Sequence, residues 1–189
     1  LIALERVSDP QISPDARWVV YVIDHYEKAN NSRSSDLWLV PLAGGEPRPL
    51  TRSGKRDSRA RWSPDGSRIA FLSNRDGKWQ IWMIPTDGGE ATKLVDLPVN
   101  VGGLLWSPDG NWLAFTAEVY PDCPDLACTA KRDEEKAKRQ VKARLYDQLL
   151  FRHWDSWSEG KRSHVFVIAA DGSGTARDLS PGDYNVPPF

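Results

Sequence analysis

The tripeptide Ser-Pro-Asp occurs three times, at Ser13-Pro14-Asp15, Ser63-Pro64-Asp65 and Ser107-Pro108-Asp109, spaced 50 and then 44 residues apart. Self-similarity at such a period marks an architecture of stacked, repeated units rather than a compact domain around a single core. Each copy also leads into the same succession of short strands.

The middle copy gives the clearest parse. Arg61-Trp62-Ser63 ends one strand, and Pro64-Asp65-Gly66 turns the chain, with proline presetting φ and glycine accepting the positive φ that follows. Arg68 to Ser73 reads as a second strand, and Asn74-Arg75-Asp76-Gly77 as a hairpin turn of the Asp-Gly kind. Trp79 to Ile84 carries the aromatic and β-branched residues of a half-buried strand, Asp87-Gly88-Gly89 turns it, and Ala91 to Val95 is a fourth strand. Four antiparallel strands in about 45 residues make one blade of a β-propeller.

The first copy repeats the scheme with strands at Arg17 to Ile23, Asp36 to Leu42 and Arg48 to Thr51. It departs once, because Ala16 stands where Gly66 and Gly110 stand in the other copies, at a cost of roughly 1 kcal/mol if φ is positive there. The third copy runs through Leu104 to Trp106 and Trp112 to Ala117, breaks into an insertion at residues 120–162, and resumes at Ser163 to Ala169 and Ala176 to Leu179. The expected fold is therefore all-β: a partial propeller of TolB/WD40-like four-stranded blades with one helical insertion. Its blades span residues 1–51, 52–97 and 98–181, and residues 182–189 resemble the opening strand of another. Propellers close with about 4 to 8 blades. Three blades leave sheet faces uncovered, an aggregation hazard, so the chain is expected to be completed by further polypeptide.

Nine tryptophans and a 40% hydrophobic content supply ample apolar surface, while a net charge of −1 gives no electrostatic footprint for nucleic acid. No apolar stretch approaches the ~20 residues of a membrane span.

Cys123 and Cys128 are the only cysteines, five residues apart in a proline-containing loop at the root of the insertion. A disulfide is expected there, with two free thiols as the alternative, and a disulfide implies an oxidising compartment, periplasmic or secreted. Zinc fits poorly, since a structural site takes four ligands and no second Cys or His pair lies nearby. Within the insertion, Ala137, Val141, Leu145 and Leu149 recur at four-residue steps, which predicts a helix from Ala130 to about Leu150, with Asp133, Glu134 and Glu135 near its start. Its other face is basic, through Lys136, Lys138, Arg139, Lys142 and Arg144. That face is either solvated or a docking surface for an anionic partner.

Residues 149–157 hold the densest mixture of aromatic and ionisable groups. Arg152 could grip a carboxylate or carbonyl, Trp154 and Trp157 could wall a pocket, and Asp155 could receive an amine. The competing reading is an Arg-Asp pair bracing two packed tryptophans, favoured because residues along a single strand-like run alternate sides.

Neither a Gly-x-Ser-x-Gly nucleophile elbow nor a metal motif nor a phosphate-cradling glycine loop is present, and Gly172-Ser173-Gly174 is a hairpin turn. His25, His153 and His164 lie in or beside expected strands and read as structural. No enzyme activity, cofactor or metal is expected of this stretch by itself.

The pattern Trp-Ser-Pro-Asp-Gly-x-x-(Ile/Leu)-Ala-Phe, followed by Asp-Gly-Gly or Asp-Gly-Ser, resembles the propeller repeat shared by TolB, tricorn protease and the N-terminal domain of the prolyl oligopeptidase family. Leu4 to Asp15, Tyr146 to Trp157 and Arg162 to Val167 are similar to the bacterial dipeptidyl-peptidase and acylaminoacyl-peptidase branches of that last family. The resemblance implies a propeller that caps a C-terminal α/β-hydrolase domain on the same polypeptide and gates access of short peptides to its serine active site. No triad position falls in these residues. By the same resemblance acidic propeller residues bind a substrate's free ammonium, with Glu118 and Asp155 the nearest candidates. The alternative is a TolB-like protein-binding propeller without a hydrolase.

Overall fold

The computed structural model describes residues 4–186 apart from 142, 145, 147–151, 154, 155 and 158, and for 152, 153 and 156 the backbone alone. Its strands form three four-stranded antiparallel sheets and one two-stranded hairpin. The first sheet comprises β1 (Arg6–Ile12), β2 (Trp18–Glu27), β3 (Ser32–Pro41) and β4 (Arg48–Pro49). The second comprises β5 (Asp57–Trp62), β6 (Arg68–Ser73), β7 (Gln80–Pro85) and β8 (Thr92–Lys93). In the third, β9 (Val101–Trp106) and β10 (Trp112–Val119) are followed by helix α1 (Leu126–Lys138) and a hairpin of β11 (Arg152–His153) and β12 (Ser156–Trp157). Strands β13 (Arg162–Ala169) and β14 (Arg177–Asp178) then complete it. In every four-stranded sheet neighbours in sequence are neighbours in space once the insertion is set aside. This is the up-and-down order of propeller blades.

Two apolar layers hold the sheets together. Val20, Val22, Leu37 and Leu39 of the first sheet pack on Ala60, Ile69, Phe71 and Ile84 of the second. Ala70, Leu72, Ile81 and Met83 from the opposite face of the second pack on Leu113, Phe115, Phe166 and Ile168 of the third. Each of these buried side chains larger than alanine contributes about 1.5–3 kcal/mol. Because the middle sheet is covered on both faces, Ile69 to Ser73 and Gln80 to Ile84 are buried without alternation, whereas β10 and β13 alternate buried and partly exposed residues.

The Ser-Pro-Asp turns share one hydrogen-bond scheme. The serine hydroxyl donates to the aspartate at 2.6, 2.6 and 2.5 Å, and itself accepts the N–H of Trp18, Arg68 and Trp112 at 2.9, 3.0 and 2.9 Å. The hydroxyl bond is the main reason the Asp15 and Asp65 carboxyls are held down at about 2, with Asp109 lowered for the same reason. Ala16 takes φ 55°, beside 71° and 73° at Gly66 and Gly110, so the turn imposes its left-handed backbone on alanine.

Successive sheets are latched by tryptophan. Trp62 Nε1 donates to the Gln11 carbonyl and Trp106 Nε1 to the Arg61 carbonyl, each at 3.0 Å, and each acceptor lies two residues before its own turn serine. Ile12 holds the equivalent position in the first sheet and is 60% exposed. A second recurring device guides the chain between sheets. Asn100 accepts the Trp79 N–H at 2.8 Å while Val101 N–H donates back to the Trp79 carbonyl at 3.1 Å. Asn185 and Val186 repeat both contacts on Ser163 at 2.9 and 2.7 Å, and residues 182–186 form no strand.

Several expectations are corrected. Strands β2 and β3 extend to Glu27 and start at Ser32, because the Arg33 guanidinium clasps Asp24 at 3.0 and 2.6 Å across the longer hairpin. The outer strands β4, β8 and β14 are only two residues each. Each inner strand also carries an unanticipated register shift against its neighbour, with Asp9, Arg59 and Gly103 at φ 50°, 55° and 33° in equivalent positions. These are β-bulges, which re-aim the side chains they displace.

Replacing Ala16 by glycine should raise the unfolding free energy by roughly 0.5 kcal/mol. That is about 1 kcal/mol of left-handed strain removed, less the extra unfolded-state entropy of glycine. Trp106→Phe should lower it by about 1–2 kcal/mol, since the Arg61 carbonyl loses its donor while most of the packing is kept. Urea midpoints of the two variants check both signs.

Candidate functional site

The insertion leaves β10 and re-enters at β13, strands that are paired along their whole length from Trp112↔Ala169 to Val119↔Arg162. Its root is the buried Tyr120, 7% exposed. The Tyr120 hydroxyl donates to Asp133 at 3.1 Å, and Asp133 also accepts Lys161 Nζ at 2.6 Å. Arg132 and Lys161 both lie over the ring, at 4.5 and 5.4 Å from its centroid, a cation–π arrangement. Burial first, and the Asp133 carboxylate second, push the Tyr120 phenol up to about 12, so it stays a neutral donor. Arg132 forks onto Asp122 at 2.7 and 2.8 Å and holds that carboxyl below its usual range.

Cys123 and Cys128 are joined in a disulfide with Cα atoms 5.5 Å apart. Asp125, between them, caps α1 by accepting the Cys128 N–H at 2.7 Å. Leu126 and Ala130 join the apolar layer of the third sheet, and Thr129 is fully buried with its hydroxyl 3.4 Å from the Tyr120 N–H. The helix thus begins four residues earlier than expected and ends at Lys138. Its start is set by the Asp125 cap beside the disulfide, so Asp133 falls mid-helix and pairs inward instead of facing the dipole. Val141, expected on the apolar face, is 74% exposed, and Leu145 and Leu149 lie outside the described residues.

Past the helix, Glu159 accepts Lys136 at 2.9 Å and Arg144 at 3.4 Å, and the Lys136 bond is the main cause of its lowered carboxyl. Two members of the expected basic face are therefore matched with a carboxylate. Arg144 also lies 5.5 Å from the centroid of Trp157, which stacks on Tyr146 at 6.0 Å.

The run 152–157 is not one strand. Arg152 pairs with Trp157 and His153 with Ser156 across a hairpin, so the alternation argument against a shared ligand face does not apply. Trp154 and Asp155, together with the side chain of Arg152, lie outside the described residues. Glu118 is an exposed residue of β10, opposite Ser163 on the face away from the apolar layer. Sequence reasoning missed Tyr120, Asp133, Lys161 and Glu159. Their spacing is non-local, and only the topology of β10 and β13 brings them together.

Of the histidines, buried His164 sits 2.7 Å from Asp178 and 2.9 Å from the Gly182 carbonyl, and His25 lies 3.2 Å from Glu5. Among the described residues no serine hydroxyl is hydrogen-bonded to a histidine, no group of three or more His, Cys, Asp or Glu could hold a metal, and no helix is long and apolar enough to cross a membrane.

The family described as TolB beta propeller domain matches residues 5–123. The chain belongs to that family. It is also 33% identical to "Dipeptidyl-peptidase 5" of Porphyromonas gingivalis over 190 aligned positions, which cover 98% of this chain and 27% of that protein. "Uncharacterized peptidase YuxL" of Bacillus subtilis is 38% identical over 77 residues, 41% of this chain and 12% of its own length. Among solved structures, the acylaminoacyl peptidase of Pyrococcus horikoshii superposes with a TM-score of 0.68 at 19% identity, covering 94% of this chain and 25% of that one. The propeller sheets thus resemble those of larger peptidases, and this TolB-family chain spans about a quarter of the dipeptidyl-peptidase it matches.

Removing the cross-link with the Cys123→Ser/Cys128→Ser double variant should cost about 2 kcal/mol by loop entropy. The loss should be local: amides of the first turn of α1 lose hydrogen-exchange protection, while those of β10 and β13 keep theirs.

Proposed function

We propose that this chain is the non-catalytic propeller portion of a serine exo- or oligopeptidase of the prolyl oligopeptidase family, gating access of short peptides to an α/β-hydrolase site elsewhere on the same polypeptide. One observation carries the reading. The family match ends at residue 123, before α1, yet the 33% identity to a dipeptidyl-peptidase reaches 98% of the chain and so runs through most of the insertion. A generic repeat has no reason to share that insertion. The remaining blades and the hydrolase domain are then the partners that cover the outer faces of the first and third sheets, where Val7, Ile12, Leu105 and Leu179 are exposed. The Cys123–Cys128 disulfide supports a periplasmic or secreted location.

Within this reading Asp155 and Glu118 receive the ammonium of a substrate's free amino terminus, Arg152 holds a carbonyl or carboxylate, and Trp154 walls the pocket. A free-amine dipeptidyl substrate and its N-acylated counterpart, assayed on the intact protein, test it. Asp155→Asn or Glu118→Gln should raise KM for the free amine about tenfold, the worth of one charge-assisted hydrogen bond, and leave the acylated substrate unchanged. A serine-directed fluorophosphonate should label the intact protein outside residues 1–189. Absence of labelling would favour the TolB-like binding propeller.

A further inference from the structure

Between the first and second sheets lies a cleft of about 210 Å³, lined from β1, β2 and β3 on one side and by Arg56, Ser58 and Arg59 on the other. Its charges do not cancel. Asp9 is taken by Arg61 at 3.0 and 3.1 Å and by Gln11 at 3.2 Å, and Asp24 is taken by Arg33 at 3.0 and 2.6 Å. Both carboxylates in the cleft are therefore spent on neighbouring guanidiniums. Arg56 and Arg59 are left over: Arg56 lies 5.3 Å over the Trp79 ring with its Nε–H buried and without an acceptor. Arg59 is exposed, and no hydrogen bond or ion pair involves its guanidinium among the described residues.

The backbone sharpens the case. Arg59 sits on the β5 bulge at φ 55°, where the third sheet uses Gly103. A long cationic side chain at a left-handed position costs about 1 kcal/mol or more. The bulge itself does not call for it.

We propose that this cleft is a carboxylate-binding site in which Arg59 and Arg56 grip the carboxylate of a short peptide. The identity of the ligand rests on the peptide-gating reading above; the excess of two guanidiniums does not. Asp9 and Asp24 line the site with their charge already matched by Arg61 and by Arg33, which also lines it. Guanidinium suits the ligand because its planar fork matches a carboxylate bidentately.

Calorimetric titration of the intact protein with triglycine, triglycine amide and Gly-Glu-Gly amide tests the site without relying on cleavage. Triglycine is expected to bind about tenfold more tightly than its amide, as for one charge-assisted pair. Arg59→Gln should abolish that difference, and Arg59→Lys should keep part of it. Arg59→Asn guards against misfolding, since asparagine accepts left-handed backbone, and it should behave as Arg59→Gln with an unchanged or higher unfolding midpoint. If Gly-Glu-Gly amide matches triglycine, the site takes any carboxylate; if it matches triglycine amide, the site reads the chain terminus. Equal binding of acid and both amides, or discrimination that survives in Arg59→Gln and Arg59→Asn, would overturn the proposal. Carboxylate discrimination without peptide hydrolysis would sink the peptidase reading and leave the site standing; hydrolysis without discrimination would do the reverse.

Discussion

The indole N–H of the tryptophan before the second and third Ser-Pro-Asp turns fixes how one sheet sits on the next. Sheet-on-sheet apolar packing is non-directional and tolerates sliding. The bonds Trp62–Gln11 and Trp106–Arg61 do not, because each ties the end of one inner strand to a carbonyl at the same place in the preceding one. The turns then stack in register: an added Cβ on Gly66 would lie 3.7 Å from the Pro14 ring, and one on Gly110 would lie 3.6 Å from Pro64. One contact type, used twice at the same offset, thereby sets a constant step between sheets, which is the condition for a regular circular array.

That step explains the distribution of apolar residues better than any single-core picture. A sheet with neighbours on both sides must be apolar on both faces, and Arg68-Ile69-Ala70-Phe71-Leu72-Ser73 is. In β13 burial keeps a period of two through His164, Phe166 and Ile168, while Val165, Val167 and Ala169 between them form an apolar, partly exposed outer face. Ile12, at the position of Trp62 and Trp106, is 60% exposed and has no indole to donate.

What was legible in the sequence was whatever depends on backbone chemistry with a strong residue preference. The Ser-Pro-Asp-Gly turns, the Asp-Gly hairpins and the strand cores of the second sheet are of this kind, and even the exception at Ala16 could be located by comparing copies. The bulges were not legible, because Arg59 carries no left-handed signature and Asp9 a far weaker one than Gly103. The Asn-Val pairs at Asn100-Val101 and Asn185-Val186 were visible as text, but their meaning needed the third strand that they clasp. The helix was misplaced for a different reason. Four-residue steps through Ala137 and Val141 describe a stripe, but a stripe becomes a buried face only against a partner, and Val141 has solvent. The cap at Asp125 and the contacts of Leu126 decided where the helix lies.

The insertion shows how a repeat scaffold can carry a specialised element without disturbing its ladder. Because β10 and β13 are adjacent and antiparallel, the chain departs and returns across one strand spacing, and all eight pairs from Trp112 to Val119 form as they would around a tight turn. The cross-link between Cys123 and Cys128 shortens the lever at the exit, and the Tyr120–Asp133–Lys161 node ties the helix to both the outgoing and the returning strand. Since Asp133 accepts from Tyr120 on one side and Lys161 on the other, the helix cannot shift relative to the sheet without stranding a carboxylate that is partly withdrawn from water. Position is thus imposed on the insertion by a few polar contacts at its root.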